Sequence, residues 1–253
     1  MAENEPFPDV LTLSDALALA LRGNPGLAAF SHEVRAAEAR MLQAGLLPNP
    51  GLELGVDEVD RDGAGFDSAE TSVVLGQLFE LGGKRKWRKH IARTEGELAG
   101  WDYESKRLDT FAETARRFLA VLAAQARCEL ARLGVELADR TNQAVVERVK
   151  AGKEPPLQAS RSEAELEMAR LDAAGAEAAL AAARQKLAAA WGAQQAVFTK
   201  VQGDLNRMLE VVPPLEMLRP FLAQNPELAR WETEMRLRRA TLASAKAARV
   251  PDL

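Results

Sequence analysis

Two histidines, His32 and His90, and the single Cys128 are the side chains best suited to hold a transition metal. They are too few and too scattered to form a site by the usual ligand spacings, so no metal site is expected. No nucleophile stands beside a base, no glycine-rich phosphate loop is present, and no carboxylate pair carries a pocket signal. The chain is therefore not expected to be an enzyme or to need a cofactor. The charges that do form patterns are of other kinds. Glu53 and Asp57 alternate with Leu52, Leu54 and Val56, which puts acids and aliphatics on opposite faces of an extended backbone. Lys84, Arg85, Lys86, Arg88 and Lys89 crowd at the start of a helical tract, where the helix dipole disfavours cations, so their placement asks for another reason. Arg148 and the run Ala151-Gly152-Lys153-Glu154-Pro155-Pro156-Leu157 mark a break between two helical tracts.

The composition says what kind of scaffold positions these groups. Hydrophobic residues make up 47% of the chain but aromatics only 5%, with alanine and leucine dominant. That suits long helices with an extended seam rather than a wide core. A net charge of −4 gives no general attraction to nucleic acid. One cysteine excludes an internal disulfide. No run approaches the roughly 20 apolar residues of a spanning helix. Met1 to Val10 is acidic, contains proline and lacks an apolar signal core, so the expectation is either a cytosolic protein or one whose leader has been removed.

Along the chain, Thr12 and Ser14 offer caps for a helix over Leu13 to Arg22, which Gly23 can end in a left-handed conformation. Asn24 caps the next helix, with Pro25 at its first position and Phe30, Val34, Ala37, Met41 and Ala44 on one stripe. Pro48-Asn49-Pro50 ends it. The period then changes to two, and Leu52 to Asp57 and Ser72 to Leu81 read as a β-hairpin across a polar loop, Asp60 to Ser68. An isolated hairpin is marginal in water, so these strands need partners, and no other convincing strand is seen. Gly82-Gly83 releases the chain into a helix over about Lys84 to Lys150, on the order of 100 Å long at 1.5 Å per residue. Its apolar positions include Phe111, Phe118, Val121, Leu122, Leu133, Leu137 and Val145. A second helix, Leu157 to Trp191, carries Leu166, Ala169, Ala173, Ala176, Leu180 and Leu187 on one stripe. The short turn makes the pair an antiparallel hairpin, and its small residues are expected to allow close approach.

The chain also repeats itself 201 residues on. Asn24-Pro25-Gly26-Leu27-Ala28 returns as Asn225-Pro226-Glu227-Leu228-Ala229, and Phe30, Val34, Met41 and Pro50 match Trp231, Met235, Leu242 and Pro251. Leu253 aligns with Leu52. The expected segments are a flexible 1–10, helices over 11–50, the β-hairpin at 51–81, the long helical hairpin at 82–192, a connector at 193–214, and at 215–253 the opening of a second repeat that stops before its strands.

This order of elements resembles TolC-type outer-membrane efflux proteins. The likeness is carried by Asn24-Pro25, Leu47-Pro48-Asn49-Pro50, Gln77-Leu78-Phe79-Glu80-Leu81-Gly82-Gly83-Lys84-Arg85, and Arg148-Val149-Lys150-Ala151-Gly152. The Glu80 to Arg85 segment looks most like the heavy-metal, cation-efflux branch. The resemblance implies a mainly α chain: a long antiparallel coiled-coil hairpin with a β-hairpin that joins an outer-membrane β-barrel shared by a homotrimer. It implies an exit duct working with a periplasmic adaptor, or membrane fusion protein, and an inner-membrane RND-type pump. Three copies of this chain would supply half of the strands the family's barrel uses.

By the same resemblance, Arg148 and Ala151 to Leu157 become the periplasmic tip that docks the adaptor, Glu53 and Asp57 face the lumen, and Leu52, Leu54 and Val56 face lipid. The bland readings, a helix-hairpin turn and an ordinary polar strand face, stay open. The basic cluster fits either headgroup contact near the barrel base or a solvated face. Only Phe66 and Phe79 lie near the aromatic girdles. The competing reading is a soluble coiled-coil interaction or adaptor protein without channel activity, although the lipoyl-like β-domain of an adaptor is not seen.

Overall fold

The computed structural model describes residues 9–57, 70–204, 213–222 and 224–253. Thr12 opens the first helix, α1 (Leu13–Gly23). Its hydroxyl accepts from the Asp15 N–H at 3.3 Å while the Asp15 carboxylate accepts from the Thr12 N–H at 3.0 Å. That reciprocal capping box satisfies two backbone donors. The Thr12 hydroxyl also donates to the Asp15 carboxylate, and this bond first, then the Thr12 N–H, holds the Asp15 carboxyl below its usual range. Gly23 does end α1, but not in a left-handed conformation. The chain leaves through Asn24 in an extended conformation. A Cβ at position 23 would stand 2.7 Å from the Trp191 carbonyl oxygen, so glycine is required there by close approach. Asn24 accepts from the Leu27 N–H at 2.9 Å and opens α2 (Pro25–Ala44).

Two short strands escaped the sequence reading: β1 (Val10–Leu11) pairs in parallel with Lys200–Val201 near the far end of the chain. They are too short to show a period. Gln125 holds the pair in place, its amide donating to the Val201 carbonyl at 3.0 Å and accepting from the Val201 N–H at 2.8 Å. Between them in sequence come β2 (Gly51–Asp57), β3 (Glu70–Gly76), α3 (Lys84–Lys150) and α4 (Pro156–Ala188), the last followed by a 3-10 turn at Ala189–Trp191. Lys200–Val201 is thus β4, and α5 (Leu215–Leu222) and α6 (Pro226–Ala247) follow. The second strand is shorter than expected, stopping at Gly76. The loop between the strands and Phe66 lie outside the described residues.

The chain divides into two compact units that do not follow its order, since α2, α3 and α5 each contribute to both. In the first unit (1–29 and 106–217) the core gathers Leu11, Phe118, Val121, Leu187, Trp191, Phe198 and Val201, all buried, around the β1–β4 pair. The stripe expected on α4 faces inward: Leu166 and Leu187 are buried, and Ala169, Ala173, Ala176 and Leu180 are half-buried. The α3 residues that turn inward in this unit include large ones, such as Phe118, Val121 and Leu122, as well as small. Long side chains join α3 to α4, Arg132 to Glu177 at 2.7 Å and Arg117 to the Lys186 carbonyl at 2.9 Å. Leu133 and Leu137, among the apolar positions noted on this helix, are exposed.

The second unit (30–105 and 218–253) holds most of α2, β2, β3, the start of α3 and all of α6. Asn225 caps α6 as Asn24 caps α2, accepting from the Glu227 N–H at 2.8 Å, with Pro226 at the first turn. The repeat read in the sequence is thus a repeat of structure, cap for cap. Against the start of α3, α6 is fixed by Arg230 to Asp102 at 2.7 Å, Arg236 to Glu97 at 2.8 Å, and the Trp101 indole donating to the Thr233 hydroxyl at 3.2 Å. Among the described residues no helix is long and apolar enough to cross a membrane.

Candidate functional site

The β2–β3 register decides which side chains share a face. Leu52 lies opposite Leu75, and Leu54 opposite Val73. Directly paired residues in an antiparallel ladder point to the same side, so these four form one aliphatic face. All four are exposed, between 65% and 74%. The other face carries Glu53 opposite Val74 and Gly55 opposite Ser72. Glu53 thus lies on the face opposite Leu52 and Leu54, and shares it with the exposed Val74. Val56 and Asp57 pair through their backbones with Thr71 and Glu70, but their side chains lie outside the described residues. Gln77 ties the base of the hairpin, its amide donating to the Pro48 carbonyl at 2.9 Å.

Below the strands the chain turns through Gly82 and Gly83, both left-handed, into α3. The basic cluster expected there is divided by its surroundings. Arg88 binds the Glu80 carboxylate with both terminal nitrogens, one at 2.9 Å, and donates from Nε to the Ala44 carbonyl at 3.0 Å. The hydrogen bond from Arg88 holds the Glu80 carboxyl below its usual range, and the same bond raises Arg88. Lys84 reaches Asp252 at 2.7 Å. Asp252 also accepts from the Leu81 N–H at 2.9 Å, and these two bonds, the lysine's first, hold its carboxyl low. Arg85 donates from Nε to the Gly45 carbonyl at 2.8 Å. Lys86 and Lys89 have no ion-pair partner among the described residues. Phe79 is exposed.

The tip of the helical hairpin is built by a Schellman motif. The Lys153 N–H bonds the Arg148 carbonyl and the Gly152 N–H bonds the Val149 carbonyl, each at 2.9 Å. Gly152 takes φ +66° as that motif demands. Arg148 closes the turn over Glu154 at 2.9 Å. Pro155 is extended and Pro156 takes the first turn of α4, where a missing N–H costs nothing. Ala151, Gly152, Lys153, Pro155 and Pro156 are exposed, and Leu157 stands 76% exposed in water.

Of the potential metal ligands, His32 and His90 are exposed and Cys128 is buried. Among the described residues no group of three or more histidine, cysteine or acidic side chains converges.

The sequence profile of the outer membrane efflux protein family matches residues 16–193. The chain is 35% identical over 243 residues to the cobalt-zinc-cadmium resistance protein CzcC of Cupriavidus metallidurans, covering 96% of this chain and 57% of that protein. It is 27% identical over 205 residues to the nickel-cobalt-cadmium resistance protein NccC of Alcaligenes xylosoxydans xylosoxydans, covering 81% and 45%. Both names fit the heavy-metal branch suggested by Glu80 to Arg85. In fold it is similar to the outer membrane channel MtrE of Neisseria gonorrhoeae, with a TM-score of 0.75 at 18% identity over 95% of this chain and 55% of that one. The chain thus spans about half the length of the curated relatives it matches. Members of the matched family are channel proteins rather than enzymes. With 178 consecutive residues under the profile and its helical and β-hairpins in the order expected, the chain belongs to the outer membrane efflux protein family.

Proposed function

We propose that this chain forms part of the outer-membrane exit duct of a tripartite efflux pump, carrying metal cations or small molecules from the periplasm or cytoplasm to the exterior. One observation carries the reading: a two-stranded hairpin presents Leu52, Leu54, Val73 and Leu75 together on an exposed face. Two strands cannot satisfy their own edges, and only a closed barrel does so in lipid. On that barrel the aliphatic face with Val56 meets acyl chains, while Glu53 and Asp57 look into the lumen and favour cations. The resistance names of the relatives support divalent transition metals as cargo.

The assembly is a homotrimer in the outer membrane, with its helical hairpins reaching into the periplasm. Arg148, Ala151, Gly152, Lys153, Glu154, Pro155, Pro156 and Leu157 form the tip that docks the helical hairpin of a periplasmic adaptor, which links the duct to an RND-type pump. The exposed Leu157 and the rigid prolines suit a preformed apolar contact.

The test is to express the protein from its whole native reading frame with its own export signal. Outer-membrane fractionation, a trimer by native mass and conductance in planar bilayers are the results expected. Deletion of the gene should raise sensitivity to cobalt, zinc or cadmium. A detergent-independent soluble protein without conductance would overturn the reading in favour of a coiled-coil interaction protein.

A further inference from the structure

We propose that Lys86 and Lys89, with Arg85, Trp87 and Arg93 around them, form a groove that binds the phosphate headgroup of an anionic glycerophospholipid at the base of the hairpin. The proposal rests on the outer-membrane reading above. Between Lys84 and Arg93 there are six cations and no acid, in a chain whose net charge is −4. Lys84 and Arg88 are neutralised by Asp252 and Glu80. Arg93 reaches Glu97 only at 3.4 Å and stays 72% exposed. Lys86 and Lys89 are exposed and have no acid partner among the described residues. Lys86 Nζ lies 5.8 Å from the centre of the Trp87 ring, and His90 meets that ring edge-on at 6.1 Å.

These side chains line one open groove of about 710 Å³. The first turn of α3 contains no acid, so the helix dipole adds to the same positive field. The cations are held against the dipole, and an anion in the groove relieves both terms at once.

The surroundings select a lipid over a free anion. Between the last strand residue, Gly76, and the groove the chain exposes Leu78 at 47%, Phe79 at 63% and Leu81 at 38%. They form an exposed apolar segment between the hairpin and the cations. Trp87, half-buried with an apolar body and a polar edge, belongs where hydrocarbon meets headgroups. An anionic lipid fills both halves of this surface, acyl chain on the leucines and phosphate on the lysines, whereas inorganic phosphate uses only one.

The test uses the native-length protein purified in nonionic detergent and mixed with phosphatidylglycerol or phosphatidylethanolamine, with bound lipid read by native mass spectrometry. The wild type should retain phosphatidylglycerol preferentially, and the Lys86→Ala/Lys89→Ala protein should lose about 25-fold of that preference, at about fivefold per cation. Lys86→Arg/Lys89→Arg should keep it. An equal preference in wild type and the alanine variant overturns the proposal. So does displacement of the lipid by millimolar inorganic phosphate, which would make the groove a free-anion site. Conductance and fractionation of the same proteins report separately on the duct. If both are normal and lipid preference is absent, this inference alone fails; if both are absent, the channel reading fails.

Discussion

Phe79 and Leu253 exchange both of their backbone hydrogen bonds, at 2.8 and 3.1 Å. A reciprocal pair of this kind marks the hydrogen-bonded site of an antiparallel ladder. Leu253 is the residue that the internal repeat aligns with Leu52, near the start of β2. The second repeat therefore meets the first along the segment leading out of β3, and Asp252 fastens the junction through Lys84 and the Leu81 N–H.

The junction should be acid-labile. Asp252 has its carboxyl held below the usual range by Lys84 and then by Leu81, so its contribution is complete above the unfolded value of about 3.9 and is lost as pH falls through the lower folded value. Hydrogen exchange at the Leu81 and Leu253 amides, corrected for intrinsic rates, should stay flat from neutral pH down to about 4 and rise below it. Asp252→Asn should show faster exchange without that acid step. A step near neutrality would assign the latch to another group.

Asn24 and Asn225 cap equivalent helices but are not equally loaded. Both accept from a backbone N–H of the first turn, at 2.9 and 2.8 Å. Asn24 alone also donates from Nδ2 to the Ala190 carbonyl at 2.8 Å. Asn225→Ala should cost about 1 kcal/mol for the cap. Asn24→Ala should cost about 2 kcal/mol, since it also leaves a carbonyl without its donor. Denaturant unfolding of the two variants measures the difference, and equal costs would show that the Ala190 bond contributes nothing.

Why these features were legible, and others not, follows from their length and from the partners they need. Asn24-Pro25 and Asn225-Pro226 are local signals, because cap and first-turn proline act within one turn. The strand alternation from Leu52 to Leu54 is equally local. The β1–β4 pair was invisible, since two-residue strands have no period and their support comes from Gln125, far away in sequence. On α3 the apolar residues serve two faces. Phe118, Val121 and Leu122 turn inward, whereas Leu130, Leu133 and Leu137 turn outward, and a single mixed spacing of three and four cannot separate them. The sharing of charges within the basic cluster was also hidden, because Glu80 and Asp252 reach it through turns rather than helical spacing.

Gly82 and Gly83 have similar backbones but different surroundings. Both are left-handed, at φ +67° and +74°. A Cβ on Gly82 would stand 2.9 Å from both the Ala247 carbonyl oxygen and Val250 Cβ, while one on Gly83 would meet nothing within 4 Å. Gly83→Ala should therefore cost only the conformational strain of about 1–2 kcal/mol. Gly82→Ala should cost more and should loosen the C-terminal segment, seen as faster exchange at Leu253. Equal stability of the two variants would mean that α6 yields without penalty.

Leu130, Leu133 and Leu137 form a stripe on α3 at spacings of three and four, exposed by 70%, 56% and 67%. A face of this size left to water is an interface signal, and in the proposed homotrimer it packs against a neighbouring protomer. Burying a leucine there contributes about 1.5–3 kcal/mol, so placing charges at two positions removes that gain and adds a desolvation cost. Leu133→Asp/Leu137→Asp should leave helical content unchanged and shift the protein from trimer to monomer by native mass. Phe118→Ala, in the fully buried core of the same unit, should behave oppositely. It should cost about 3–5 kcal/mol of subunit stability, with assembly intact wherever the subunit still folds. A stable trimer in the double aspartate variant would show that the stripe faces something other than a second copy of this chain.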